Sequence, residues 1–467
     1  MTPSLLRVSR RRVWGEAGVV FVGFLLVYLT LGQSVFYKGD GPWIVKRLID
    51  GSTDYPHHKL YMPMLVAFGD LVAPLGMTPY RTGVVFSAVG SALGVCLAHV
   101  AFRWLVPGRA WLATLLLGLC PAVLLFATVV EFHGVLLGFA GIAFLLAAHL
   151  AIKPGWIVAV ALGIATSVAA GVHSSGLVLP GVLLPWFLAR RWHIGTRQHD
   201  LLLCGIAGAL HLGGAFLLAK PDQATHFLET GFSHPQGIEH LPGILHVEWL
   251  TAFFPLSIVV FAAAFRRGLR LQLLAFVIGM APYLYAALRL LVGDAEFGAY
   301  LLPLAFVAAL LTAIALPRLA TALLVLTSAT FGIVQVRQHD DNEYYRAYAA
   351  GLNEVFAGKP ALLLVGNPAE VGPILVHGPR LTIYPLNEVA EWLPELVRKG
   401  LPIFDKVVRD TTRNHPVWLT AGARTYLSTT ADGHTPGGPT LLAHIQATYG
   451  LVETKAHAFH GWRLVPK

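Results

Sequence analysis

Long apolar runs recur along most of this chain and constrain its fold more than any other feature. A helix needs roughly 20 apolar residues to span a bilayer. Hydrophobic residues make up 55% of the sequence and charged residues only 13%, whereas a soluble domain has about 25% charged residues. We therefore expect an α-helical polytopic membrane protein with about eleven transmembrane helices, at 17–36, 82–105, 109–127, 132–152, 155–172, 174–190, 200–219, 248–266, 270–291, 298–316 and 319–336.

The basic residues predict which way these spans cross the membrane. If the N-terminus is cytoplasmic, the inner loops hold most of them, including Arg10–Arg12 and Arg190–Arg191, as the positive-inside rule requires. The net charge of +9 is then an orientation signal, which argues against a nucleic-acid partner. An odd number of spans leaves the C-terminus outside. We predict a multi-pass protein of the plasma (inner) membrane.

The composition changes near Gln338, where charged residues become more frequent and apolar runs become short. The runs PALLLVGN, RLTIYPL, VWLTAGA and WRLVP predict strands, and NEVAEWLPELVRKG and TLLAHIQATYG predict helices. Strands that alternate with helices are typical of an α/β domain, and about 130 residues suffice for an independent core. We therefore divide the chain into a membrane domain over 1–337 and a soluble extracytoplasmic α/β domain over 338–467.

The loops on the predicted outer side carry most of the unusual polar residues. Asp40 follows the first span in YKGDGPW. Glu131 and His133 lie in TVVEFHG, and His173 lies in GVHSSG. A carboxylate this close to hydrocarbon is costly without a role or a partner. Asp40 could act as a catalytic base, or it could cap the helix that Pro42 opens. Glu131 could likewise sit at a helix N-terminus, and the two histidines could be core or interfacial residues.

Four segments then follow one another in an order found in one enzyme superfamily. They are the run from HHKLYMPMLVAFGDLVAP to Arg81, the acidic span opening VVEFHGVLLGF, the span opening GVHSSGLVLPGVL, and FGAYLLPLAF. Together, over about residues 15–336, they resemble membrane glycosyltransferases of the type C superfamily (GT-C), such as protein mannosyltransferases and aminoarabinose transferases. The chain departs from that pattern where Lys59 stands in place of a Pro-Pro-Gly core, and where Ala299 replaces an arginine.

The resemblance implies a GT-C-like fold and an inverting transfer of a sugar from a polyprenyl-phosphate lipid to an acceptor hydroxyl. That acceptor would be a glycan, lipid or protein on the extracytoplasmic side. The usual catalytic base of the superfamily matches Asp40 by position, and Glu131 is the second acid of the expected site. A carboxylate can take the proton of an attacking hydroxyl, and the leaving phosphate requires cations or other donors. The candidates for binding the donor phosphate are His57, His58, Lys59, His173, Lys220, Arg289 and Tyr300.

Metal dependence and non-enzymatic functions stay open alternatives. Acids and histidines on one side could bind a divalent metal ion, but the chain has no tight spacing such as HExxH, and we assign no metal ligand and no cofactor. Its three cysteines form no CxxC pair, which argues against a zinc site. A transporter or lipid flippase would place ionisable residues near the bilayer centre. An inactive scaffold with an outer binding domain would have no need of Asp40.

Overall fold

A computed structural model of the chain describes residues 10–37, 40–55, 58–218, 240–290, 296–366, 368–386, 401–428 and 438–467. Contacts between Cα atoms divide the chain into two compact units. The first comprises Met1–Gln33 and Arg47–Gln338, and the second comprises Ser34–Lys46 and His339–Lys467. Asp40 therefore groups with the second unit, although it follows the first predicted span in sequence.

The first unit is helical in the residues described. Short 3₁₀ turns and a π-helical segment join some of its helices. The turns lie at Ala73–Leu75, Ser174–Val178, Val260–Phe265 and Arg267–Leu269, and the π-helical segment spans Leu245–Thr251. The helices are α1 (Arg10–Thr30), α2 (Asp40–Ile49), α3 (Tyr61–Val72), α4 (Pro79–Leu105), α5 (Ala110–Gly118), α6 (Pro121–Thr128), α7 (Phe132–Ile152), α8 (Trp156–Val172), α9 (Leu179–Arg191), α10 (Arg197–Leu218), α11 (Leu241–Ile244), α12 (Leu256–Val259), α13 (Arg270–Leu290), α14 (Leu304–Ala315) and α15 (Arg318–Asp340). The first residues of α2 and the last two of α15 belong to the second unit.

Six of the described helices are long and apolar enough to cross a membrane, or eight segments if each of two bent helix pairs counts as one span. The polytopic helical architecture is thus confirmed, whereas the count of about eleven is not. Prolines lie at the breaks in two of the predicted spans, where the missing backbone N–H of proline favours a helix end or a new helix start. Pro121 follows a bend of 57°, and Pro255 lies at a bend of 105°.

Helices α4 and α7 pack backbone against backbone through glycines. Gly90 and Gly94 of α4 face Gly134 and Gly138 of α7, and both pairs have the GxxxG spacing. A methyl group added to Gly90 would lie 2.7 Å from the Gly134 carbonyl oxygen, and one added to Gly94 would lie 2.4 Å from the Leu137 carbonyl oxygen. In lipid, helices associate by such close packing of small residues, since the surrounding tails are as apolar as the side chains. This contact fixes where α7 begins.

The second unit contains a five-stranded sheet in the order β2-β1-β3-β5-β4. Strand β1 pairs in parallel with β2 and β3, and β5 pairs antiparallel with β3 and β4. The strands are β1 (Ala361–Val365), β2 (Leu381–Pro385), β3 (Val417–Thr420), β4 (Tyr449–Ala456) and β5 (Phe459–Pro466). The four predicted strands are confirmed as β1, β2, β3 and β5, whereas β4 was missed because it continues directly from a predicted helix. The predicted helix at 387–400 lies outside the described residues.

Helices cover both faces of this sheet. Along β1, Leu362 packs in the same core cluster as Phe404, and the next residue, Leu363, packs in another with Ile374. Successive side chains of a strand point to opposite faces, so two cores flank one sheet in an α/β arrangement. The helices of this unit are α16 (Glu343–Phe356), α17 (Pro368–His377), α18 (Leu401–Thr412), α19 (Ala421–Ser428) and α20 (Gly438–Thr448).

The glycine contact between α4 and α7 predicts that a Gly→Ala substitution lowers the stability of the protein inside the contact but not at an open helix position elsewhere. Gly94→Ala drives a methyl group into the Leu137 carbonyl, so we expect a destabilisation of about 1–3 kcal/mol. Gly213 of α10 has open space around it, and Gly213→Ala should be neutral or stabilising by up to about 1 kcal/mol through helix propensity. Thermal unfolding midpoints in detergent measure both. A Gly94→Ala protein as stable as the wild type would contradict the packing.

Candidate active site

Glu131 lies where α6 gives way to α7 and caps the N-terminus of α7. Its carboxylate accepts a hydrogen bond from the Phe132 backbone N–H at 3.3 Å, and a negative charge is favourable at that end of a helix. The Ser87 hydroxyl of α4 donates to the Glu131 carbonyl at 3.1 Å, so the packing of α4 on α7 also holds this backbone. The side chain is buried, with 4% exposure. The capping alternative is therefore confirmed, and it does not exclude a second role for a carboxylate with two oxygens.

Three buried histidines from separate segments meet beside Glu131, and we call His58, His133 and His173 the histidine cluster. The ring centroids of His58 and His173 are 4.6 Å apart, and those of His133 and His173 are 4.3 Å apart. The Nδ1 atom of His133 lies 3.6 Å from the Glu131 carboxylate. A carboxylate and three imidazoles thus share one enclosed region of the helical unit.

Aromatic side chains border the histidine cluster, among them Phe132 and Tyr300. The Phe132 ring centroid lies 4.0 Å from that of His58, and the Tyr300 ring centroid lies 5.8 Å from that of His173. Tyr300 arrives on the turn that precedes α14. The structure therefore brings together four of the predicted site residues, namely Glu131, His58, His173 and Tyr300.

The backbone around His173 fixes its ring. Its N–H donates to the Ala169 carbonyl at 3.0 Å, which closes the end of α8. Its Nδ1 atom accepts the Ser175 backbone N–H at 3.2 Å and lies 2.7 Å from the Ser175 hydroxyl. Because Nδ1 is an acceptor, a neutral ring carries its proton on Nε2. That nitrogen is then a hydrogen-bond donor of the kind that a phosphate oxygen accepts.

His173 lies in the turn between two predicted spans, and its surroundings keep it neutral. Burial lowers its pKa well below that of an ordinary histidine, and the neighbouring His133 and His58 lower it further. Burial and nearby positive charge both disfavour the protonated ring. An anion placed against this ring would act in the opposite direction and raise its pKa, which would favour proton uptake.

The other predicted phosphate ligands are not part of this cluster in the residues described. Lys59 donates from Nζ to the Leu217 carbonyl at 3.2 Å, close to the C-terminal end of α10, where a cation favours the helix dipole. His57 and Lys220 lie outside the described residues, as does the side chain of Arg289. Their assignment to the donor phosphate stays a prediction.

Asp40 is the first residue of α2, followed by the buried Gly41 and Pro42. The helix predicted to open at D-G-P-W is therefore confirmed. The helix dipole stabilises a carboxylate in its first turn. Its role as a catalytic base stays a prediction. Among the described residues, no group of three or more His, Cys, Asp or Glu side chains has the geometry to hold a metal ion.

Sequence reasoning missed several residues that shape the site. His133 is not among the predicted phosphate ligands, although its ring lies against that of His173. Ser87 lies in an apolar run and Phe132 stands between Glu131 and His133, and neither carries a signal of its own. Ser175 carries a weak one, since a serine two residues after a histidine can hydrogen-bond back to it in a turn.

Comparison with known proteins yields structural neighbours but no sequence relatives. No protein-family model and no curated protein matches the sequence. The crystal structure of ArnT from Cupriavidus metallidurans bound to undecaprenyl phosphate matches with a TM-score of 0.58 and 13% identity, over 96% of this chain and 97% of that one. The structure of the same protein in the apo state matches with a TM-score of 0.57 and 14% identity, over 96% of this chain and 98% of that one. The chain therefore shares the overall fold of ArnT.

The neutral state of His173 predicts an acid-sensitive fold. The unfolded chain takes up a proton near pH 6.5, whereas the native ring does so only at lower pH, so native stability falls as the pH drops below about 6.5. One such group changes the free energy of unfolding by at most about 1.4 kcal/mol per pH unit. His173→Asn keeps an acceptor for Ser175 and should flatten the pH dependence of the thermal midpoint between pH 7 and 5. The exposed His415→Asn is the matched control, and an unchanged slope in His173→Asn would contradict the assignment.

Proposed function

We propose that this protein transfers a sugar from a polyprenyl-phosphate-linked donor to an acceptor hydroxyl on the extracytoplasmic side of the plasma (inner) membrane. The observation that carries the proposal is the buried histidine cluster beside Glu131, in a chain that shares the fold of ArnT. One of its structural neighbours was crystallised with undecaprenyl phosphate, which supports a lipid of that chemical class as the donor carrier. A glycan, lipid or protein hydroxyl would be the acceptor.

In the proposed reaction Asp40 is the general base. Its carboxylate takes the proton from the acceptor hydroxyl while that oxygen attacks the anomeric carbon. The bond between the anomeric carbon and the phosphate oxygen breaks as the new glycosidic bond forms, and its electron pair leaves with the polyprenyl phosphate. Attack opposite the leaving group inverts the anomeric centre. The position of Asp40 after the first span supports this role.

The histidine cluster and Tyr300 are suited to the leaving phosphate. A neutral His173 presents an Nε2–H donor, and His58 and Tyr300 lie within ring contact of it. Donors held in place before reaction stabilise charge as it develops on the phosphate, without further reorganisation. As that charge grows it raises the pKa of the adjacent imidazoles, so the cluster can take up a proton when the phosphate leaves. Glu131, 3.6 Å from His133, would orient this ring and favour its charged form.

We expect Asp40→Asn to reduce turnover strongly while the protein keeps its fold and its affinity for lipid. An amide cannot accept the hydroxyl proton as a base, and loss of a general base lowers the rate by about 10²–10⁴-fold. The assay follows release of polyprenyl phosphate from polyprenyl-phosphate sugars supplied to the purified protein in liposomes. Asp50→Asn, an identical change on an exposed acid just after the same helix, is the control and should retain activity.

Full turnover in the Asp40→Asn protein would refute Asp40 as the base. Movement of lipid across the liposome bilayer with no sugar transfer would favour a flippase. A protein that neither binds undecaprenyl phosphate nor turns over any sugar lipid would instead be a scaffold, and the whole proposal would fail.

We also expect His173→Asn to weaken binding of undecaprenyl phosphate. A hydrogen bond to a charged group contributes about 1.5–3 kcal/mol, which corresponds to roughly a 10- to 100-fold loss in affinity. Titration of the lipid into purified protein, read by native mass spectrometry, measures the dissociation constant. His415→Asn should bind like the wild type. Equal affinities for the wild type and His173→Asn would remove the histidine cluster from the phosphate site.

A further inference from the structure

Glu248 is a completely buried carboxylate with no part in the reaction described above. It lies in the π-helical segment Leu245–Thr251, a local irregularity that often marks functional sites. Its two oxygens accept hydrogen bonds from the backbone N–H groups of Glu296 and Gly298, the second at 2.8 Å. One side chain thus binds two backbone donors of a turn about fifty residues away in sequence.

That turn has an uncommon backbone. Phe297 and Gly298 both have positive φ angles, 48° and 82°, a conformation that costs a non-glycine residue free energy and persists only where its surroundings hold it. Backbone N–H groups on one side of such a turn favour an anion there, and those of Glu296 and Gly298 each donate to one oxygen of Glu248. A methyl group on Gly298 would lie 2.6 Å from the Phe253 ring, so the turn also packs tightly against the segment that carries Glu248.

Tyr300 follows this turn by two residues, and its ring borders the histidine cluster. The Glu248 segment is itself held to the helix that leads to Glu131, since the Ala122 N–H of α6 donates to the Ala252 carbonyl at 2.9 Å. Hydrogen bonds therefore link both the turn before Tyr300 and the helix before Glu131 to residues 248–252. The Glu248 side chain makes the link to the turn.

We propose that Glu248 is a positioning residue that holds Tyr300 against the histidine cluster for the proposed sugar transfer. The inference rests on the proposed function for its consequence, but its physical basis is the clamp on the Glu296–Gly298 backbone. Misplacement of a site group by about 1 Å can lower a rate by about 10²-fold. Loss of the clamp should therefore act on turnover through Tyr300, and not independently of it.

A double-mutant cycle on turnover tests this coupling. Glu248→Gln places an amide NH₂ against one of the two backbone donors, and we expect it to lower kcat by about 10- to 100-fold, with a similar loss in Tyr300→Phe. The double variant should lose little more than either single variant, because two residues that act through one group are not additive. Multiplied losses would show that Glu248 acts independently of Tyr300 and would overturn the inference.

The control carries the same change on a second buried carboxylate with a similar bonding pattern. Glu370 is 4% exposed and accepts hydrogen bonds from the Gly422 N–H and the Thr420 hydroxyl. Its losses should multiply with those of Tyr300→Phe. If Glu248→Gln does not fold, Glu248→Asp keeps the charge and retracts the carboxylate by one methylene, and the same cycle applies.

Hydrogen exchange separates the clamp from the proposed function. In Glu248→Gln the backbone amides of residues 296–302 should exchange faster, whereas those of 361–365 in β1 should not change. Unchanged exchange at 296–302 would overturn the clamp even in an active enzyme. A wild-type protein without lipid binding or sugar transfer would overturn the proposed function, even if the exchange result holds.

Discussion

The direct backbone contact between α4 and α7 is the interaction on which the rest of the helical unit depends. Helices in lipid gain little by hiding apolar side chains from their surroundings, so close approach of backbones supplies much of the attraction between them. Glycines at 90 and 94 meet glycines at 134 and 138, and no side chain larger than hydrogen fits between. This contact fixes the position along α4 at which α7 starts. Glu131 caps α7, and His133 lies in its first turn.

Several buried polar side chains of this unit have hydrogen-bond partners in a helix cap and in two turns. A buried carboxylate or imidazole is costly unless its hydrogen bonds are satisfied. Glu131 binds the first N–H of α7, His173 binds Ser175, and Glu248 binds two N–H groups of a strained turn. The same hydrogen bonds that offset the free-energy cost of burial also fix the direction of each side chain. A site built in this way needs little rearrangement when charge develops within it.

The sequence predicted those parts of the molecule that depend on local pattern. Apolar runs located the helices, and short β-branched and leucine-rich runs located β1, β2 and β3. Prolines moved the helix ends, since Pro121 and Pro255 lie at bends within predicted spans. Glu131 and His173 stood out because a polar residue in an apolar context is uncommon.

Contacts between distant segments could not be predicted in this way. His58, His133 and His173 are separated by tens of residues, and only the packing of three segments brings their rings together. Glu248 has no local signal, since its partners lie about fifty residues further along the chain. Strand β4 follows α20 without a break, so no turn residue marks its start. The grouping of Asp40 with the second unit depends on contacts that the order of residues does not reveal.

The strand order of the sheet has a consequence for how the protein is made. Strand β5 lies between β3 and β4, and it is the last of the five in the chain. While a ribosome is still synthesising residues 459–466, β3 has an open edge and β4 has no neighbour to pair with. An open edge invites pairing with foreign strands. The nascent sheet is therefore exposed to aggregation until synthesis of β5 is complete, well after the membrane helices have emerged.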